Sequence, residues 1–137
     1  MLLLVVSLPG CGALRPVPEG ARAVWAFDVE TYLGRRYSGY GVTLEACSRL
    51  RQLEISYQSA TPASNPERFP FYRTTVLGRC YAAALADSGY GWAVEAEATW
   101  GVVMPSEGLC EAMRETLAPG RPAEALTHCV PVTLTSR

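Results

Sequence analysis

The 137-residue chain has no lysine, a single histidine (His128) and no surplus of charge: twelve arginines against thirteen acidic residues leave a net charge of −1. Near-neutrality excludes a basic nucleic-acid reader and a polybasic membrane patch as first readings. The lysine-free cation set reads as a coding bias with no mechanism attached. No apolar run approaches the ~20 residues that span a bilayer. No G-x-S-x-G elbow, H-E-x-x-H pair, Gly-rich phosphate loop or C-x-x-C pair occurs, so the familiar signatures of hydrolases, zinc sites, nucleotide binders and thioredoxin-like centres are all missing. No catalytic set, metal site or cofactor is therefore assigned. Apolar residues at 49% and charged residues at 18% nevertheless place the chain among globular proteins of one domain.

The N-terminus carries the clearest signal. Leu2-Leu3-Leu4-Val5-Val6 is followed by Ser7, Leu8-Pro9-Gly10-Cys11, then Gly12-Ala13 and a Pro-rich polar stretch from Arg15 to Gly20. That order is a signal h-region followed by a small-residue cleavage site. Leu8-Pro9-Gly10-Cys11 resembles the lipobox of bacterial lipoproteins. The resemblance implies cleavage before Cys11 and acyl chains, palmitate among them, on that residue. It also implies an exported protein held by lipid on the periplasmic side of the outer membrane. Each buried CH₂ is worth about 0.8 kcal/mol, so two or more chains anchor a domain without a transmembrane helix. Residues 1–10 are then the signal peptide, 11–22 the lipidated tether and 23–137 one globular domain. The positively charged n-region is absent and the apolar run is short, as a start codon placed too late would explain. The alternative is a buried strand over residues 2–8 with Cys11 an ordinary core thiol.

Setting Cys11 aside leaves Cys47, Cys80, Cys110 and Cys129. In an exported chain an even set reads as two disulfides, with three possible connectivities. Because neighbours in sequence are commonly neighbours in space, Cys47–Cys80 and Cys110–Cys129 are the expected pairs. Four free thiols in a cytosolic protein are the competing reading.

Alternation predicts a strand over Val24–Leu33, with Trp25, Phe27, Val29 and Leu33 on one face and Asp28, Glu30 and Tyr32 on the other. A turn is expected at Gly34–Gly39. A second strand follows from Tyr40 to Ala46, a third short one at Leu53, Ile55 and Tyr57, and a surface loop from Ser59 to Pro70. Trp92 to Trp100 alternates as one continuous strand. Ser106 is the expected N-cap of a helix with Leu109, Met113 and Leu117 buried, stopped by Pro119-Gly120. Val130, Val132 and Leu134 read as a final strand, placed at an edge by Pro131. Residues 74–86 are open between strand and helix. Ser38–Ala46 and Ser88–Ala96 agree at six of nine positions, which favours a strand there and two hairpins. The expected fold is α+β: an antiparallel sheet of two or three hairpins with one covering helix, stapled by disulfides.

Glu95 and Glu97 share a face of the predicted strand and could serve a small envelope hydrolase, but a solvated polar face is the preferred account of them. Asp28 and Glu30 read the same way, and Arg49, Arg51 and Glu45 as an exposed charged row. His128 beside Cys129 points to the opposite face, so no Cys–His pair is expected. Tyr40, Tyr90 and Trp92, in or behind the two S-G-Y-G turns, form an aromatic binding patch if those turns share one end of the sheet. The expected function is a non-enzymatic, lipid-anchored binding or accessory module. Its expected partners are a membrane, through the acyl chains on Cys11, and an envelope protein, with no nucleic acid. A periplasmic inhibitor or immunity-type protein is the alternative.

Overall fold

A computed structural model of the chain describes residues 14–31, 34–60 and 74–137, the side chains of 57–60 excepted. Cys11 lies outside the described residues, as do Tyr32, Leu33 and most of the expected 59–70 loop. Five strands and two α-helices follow in the order β1 (Ala21–Glu30), β2 (Arg36–Gly41), α1 (Leu44–Ala60), β3 (Thr75–Ala96), β4 (Trp100–Met104), α2 (Glu107–Leu117) and β5 (Val130–Ser136), with a short 3₁₀ turn at Ala123–Ala125 before β5. Every pairing is antiparallel.

Strand β3, at 22 residues, is used twice. Its first half pairs with β1 (Ala21↔Ala86 to Glu30↔Thr75) and its second half with β4 (Trp92↔Met104 to Ala96↔Trp100). Strand β2 joins β1 to β4, so the ladder runs from β3 through β1, β2 and β4 back to β3. Strand β5 lies along both halves of β3, which closes the seam. The bend between the halves falls where the β3–β5 register slips, between Ala86 and Gly91. Gly89 provides the φ of 134° needed there, and Thr133 Oγ1 donates to Ser88 O at 2.6 Å to pin the bend to β5.

The two faces of this curled sheet carry separate cores. Outside, Phe27, Val29, Tyr37, Val94, Val102 and Met104 pack with Cys47 of α1 and with Cys110 and Met113 of α2. Inside, Val24, Ala26, Tyr40, Ala83, Leu85, Ala93 and Val132 pack together, and no helix contributes. Three of these seven are alanines, which suit a tightly curled face, and Tyr40 and Leu85 fill the space between them.

Helix α2 forms as expected: Ser106 Oγ accepts the Leu109 N–H at 3.2 Å, and Cys110 and Met113 are buried. Helix α1 takes up Leu44–Ala46 of the second strand anticipated at Tyr40–Ala46, of which Tyr40 and Gly41 belong to β2, and replaces the third anticipated at Leu53–Tyr57. Thr43 caps it by accepting the Ala46 N–H at 3.0 Å, and Glu45 pairs with Arg49 one turn later at 2.8 Å. The alternation of Leu53 and Ile55 is coincidental, and Leu53 remains 62% exposed. The turn expected over Gly34–Gly39 is mostly strand β2. The strand expected from Trp92 to Trp100 is a hairpin, turning at Glu97–Thr99. Among the described residues there are thus two covering helices instead of one, and a five-stranded sheet in the order β1-β2-β4-β3-β5 with an added β1–β3 pairing instead of a set of two or three hairpins.

Both disulfides form in the expected pairs, with Cα–Cα separations of 6.3 Å for Cys47–Cys80 and 6.1 Å for Cys110–Cys129. Cys47–Cys80 ties α1 to β3, and Cys110–Cys129 ties α2 to the residue preceding β5. Strand β5 pairs only with β3, as an edge strand containing Pro131 should.

Candidate functional site

The closed ladder leaves the inner face with two ends, and a carboxylate stands at each. Strand β1 supplies a residue to both: Arg22 near its start and Asp28 near its finish.

At the first end, Glu95 projects from β3 on the same face as Ala93. Its Oε2 accepts from Tyr40 OH at 2.6 Å and from Arg22 Nη2 at 2.9 Å. Tyr40 reaches it across β4 because Gly101 has no side chain; a Cβ there would lie 2.5 Å from the Tyr40 hydroxyl. The Glu95 side chain is 14% exposed. Burial pushes its pKa up, but the hydrogen bonds from Arg22 and Tyr40 and the Arg22 charge together bring it below the usual carboxylate value. Its hydrogen bond to Glu95 raises the Arg22 guanidinium in turn, partly offset by burial. Burial, then Glu95, pushes the Tyr40 phenol far up, so it stays a neutral donor. Beside this group lies a small pocket of about 160 Å³, between Leu85, Asp87 and Val130. This mouth is plugged.

At the second end, Asp28 Oδ1 accepts from Ser38 Oγ and from Tyr81 OH, each at 2.8 Å. Burial, then Asp28, pushes the Tyr81 phenol up, and it too remains a donor. Here the mouth is open. A cleft of about 520 Å³ lies over Asp28, with Tyr81, Tyr90, Val103 and Leu134 in its walls and Arg36 at its side. Arg36 turns toward Glu30, at 3.5 Å. A concave site with mostly apolar walls, a few fixed polar groups and a position at a barrel mouth is where small ligands and side chains bind.

The anticipated aromatic patch divides. Tyr40 is 1% exposed and belongs to the inner core, whereas Tyr90 is 97% exposed and borders the open cleft. Trp92 is half-buried against the outer core beneath the helices. The three do not form one surface, because Ser38–Gly41 and Ser88–Gly91 occupy different strand contexts. The first closes β2 before α1, and the second makes the bend of β3.

Glu95 and Glu97 are likewise separated. Glu97 sits in the β3–β4 turn, pairs with Arg121 at 3.5 Å, and borders a different cleft with Arg49 and Trp100. The face shared on paper ends at Ala96, where the strand ends. Arg49 and Arg51 diverge on α1, Arg49 to Glu45 and Arg51 Nε to Gly78 O at 2.8 Å. His128 is exposed, and the neighbouring Cys129 is consumed in a disulfide. The sequence reading missed Arg22, Ser38 and Tyr81. Tyr81 lay in the segment open between helix and strand, so its face was undefined. For Arg22 the signal is present, two residues before the inward-facing Val24, although the expected tether over 11–22 includes it.

Comparison with protein-family models, with curated proteins and with solved structures finds no match. What the protein does must be argued from its own residues.

Proposed function

We propose that the protein is an exported, lipid-anchored binding module of the bacterial cell envelope that holds a partner protein at the open mouth of its sheet. The observation that carries the binding role is the cleft above Asp28, with the fully exposed Tyr90 at its edge. An exposed tyrosine beside a preformed hollow offers a large, stiff apolar surface with a polar tip, the chemistry enriched at protein interfaces. The anchored address is supported by Leu8-x-Gly10-Cys11 and by two disulfides, which suit an oxidising compartment. Among the described residues no helix is long and apolar enough to cross a membrane. A hydrolase reading gains nothing from the geometry. Glu95 is pinned between two donors with its pKa lowered, the opposite of a carboxyl held ready to donate a proton.

Anchoring is tested by expression with a complete signal sequence in a Gram-negative host. The wild type should label with palmitate and sediment with membranes, and Cys11→Ser should do neither; equal labelling of the two would refute the anchor. Partner capture from detergent-solubilised envelopes tests the cleft. Tyr90→Ala should lose the protein that wild type retains. Recovery of an outer-membrane or assembly protein supports an accessory role, and recovery of a toxin or lytic enzyme supports inhibition.

A further inference from the structure

The two mouths are built on one plan, with one part missing from the second. At the plugged mouth a carboxylate, Glu95, accepts from a tyrosine hydroxyl and from a guanidinium, that of Arg22. At the open mouth a carboxylate, Asp28, accepts from a tyrosine hydroxyl, that of Tyr81, and from the Ser38 hydroxyl, but from no cation. Among the described residues no arginine or histidine lies within ion-pair distance of Asp28, and Arg36, the one cation lining the cleft, is paired with Glu30. Both hydroxyls bond to Oδ1, so the second carboxylate oxygen is left for another donor. The walls are aromatic and aliphatic: Tyr81, Tyr90, Val103, Leu134. A carboxylate at the base of such a hollow selects a flat cation carried on an aliphatic stem. The same walls suit the rest of that side chain, with the tyrosine rings adding a cation–π attraction.

We propose that the open mouth takes an arginine side chain from the partner, its guanidinium on Asp28 in the position that Arg22 fills opposite Glu95. This rests on the binding-module reading and specifies the partner's chemistry: an exposed segment carrying arginine. The cleft is sized for one side chain and its flanking backbone, whereas a stable protein interface covers ~800 Å² per partner, so the surface around Tyr90 completes the contact.

The test uses the full chain with both disulfides formed and two probes, acetyl-Gly-Arg-Gly-amide and the same peptide with neutral citrulline for arginine. Amide resonances of Ser38, Tyr81, Tyr90 and Leu134 are followed during titration. The arginine peptide should shift them saturably, and the citrulline peptide should bind about tenfold more weakly, the loss expected for one charge-assisted hydrogen bond. In Asp28→Asn, which keeps an oxygen for the two hydroxyls, the peptides should bind alike. Equal binding of both peptides to wild type, no binding of either, or shifts confined to residues around Arg22 and Glu95 would each overturn the assignment. The wild-type comparison decides the matter even if Asp28→Asn fails to fold. Envelope capture separates this inference from the one beneath it. A partner lost in Tyr90→Ala but kept in Asp28→Asn leaves the binding module standing and removes the guanidinium.

Discussion

At Glu95 three influences compete, and their balance fixes how stability must change with acid. Burial favours the neutral carboxyl, while Arg22 and Tyr40 both favour the charged one and together prevail. A carboxyl whose pKa is lowered by folding contributes stability that is fully present above its unfolded value, near 4.5. That contribution is lost as pH falls through the lower folded value. Chemical denaturation of wild type and Glu95→Gln from about pH 6 to about pH 3 should therefore show a gap in favour of wild type that narrows with acid. A gap that stays constant, or widens, would mean that the Arg22–Glu95 pair contributes nothing to folding. The dependence also traces to a residue with no side chain. Without Gly101 the Tyr40 ring could not cross β4, and Glu95 would keep Arg22 as its sole donor.

The hairpin between β3 and β4 shows how an element can hide in a sequence. Glu97 and Ala98 both adopt the left-handed backbone, with φ of 56° and 53°, and Thr99 N–H donates to Ala96 O at 3.1 Å. This is a β-turn with both central residues left-handed, set within the three-residue connection Glu97–Thr99, and Asn and Gly are the residues favoured at such positions. Neither is present, so alternation simply continues from Trp92 through Ala98 to Trp100, and the pattern reads as one strand. The turn is held by its surroundings: Glu97 N–H donates to Ala125 O at 2.8 Å, and Val42 N–H donates to Thr99 O at 2.9 Å. A left-handed residue with a Cβ costs roughly 1–2 kcal/mol, and glycine's extra chain entropy returns part of that. Ala98→Gly should accordingly raise stability by about 0.5–1 kcal/mol, measured as a higher denaturation midpoint with unchanged slope. A loss of stability would show that the turn is unstrained. Helix α1 was obscured for a related reason. Among its described side chains only Cys47 is fully buried, Leu44 and Leu53 are exposed, and the disulfide to Cys80 supplies the attachment that an apolar stripe would otherwise signal. Where local chemistry and burial agree, as at Ser106, Met113 and the faces of β1, the sequence was readable. Site residues drawn together by the curl of the sheet, Arg22 with Glu95 and Ser38 with Tyr81, carry no local mark. Their separations of 73 and 43 positions put them beyond any periodicity.

The polarity of β1 orients the whole molecule. The described chain enters the strand at Ala21, beside the plugged mouth, after a turn in which Ala21 N–H donates to Pro18 O at 3.1 Å. Before that turn Arg15 O accepts from Arg137 Nε at 2.9 Å, and Arg137 N–H donates to Ala82 O at 3.0 Å, opposite Trp25, so the entering segment runs along the end of β5. Asp28 lies six residues beyond Arg22 on the same strand, about 20 Å away at the rise of an extended chain. Ten residues separate Cys11 from Ala21, a span of at most ~35 Å. The binding-module reading requires the open cleft with Tyr90 to face away from the lipid, with the plugged mouth toward it, and a tether of that length on Cys11 permits this orientation. Closure of the lipid-proximal end by Arg22, Tyr40 and Glu95 is then consistent with one-sided use of the sheet. Acylated protein in nanodiscs containing headgroup-spin-labelled lipid measures this directly. Paramagnetic broadening should be strongest at Arg22, Asp87 and Thr127 and weakest at Arg36, Tyr90 and Pro105. The reverse gradient would place the cleft against the membrane, where a partner protein could not enter it, and would transfer the binding role to another surface.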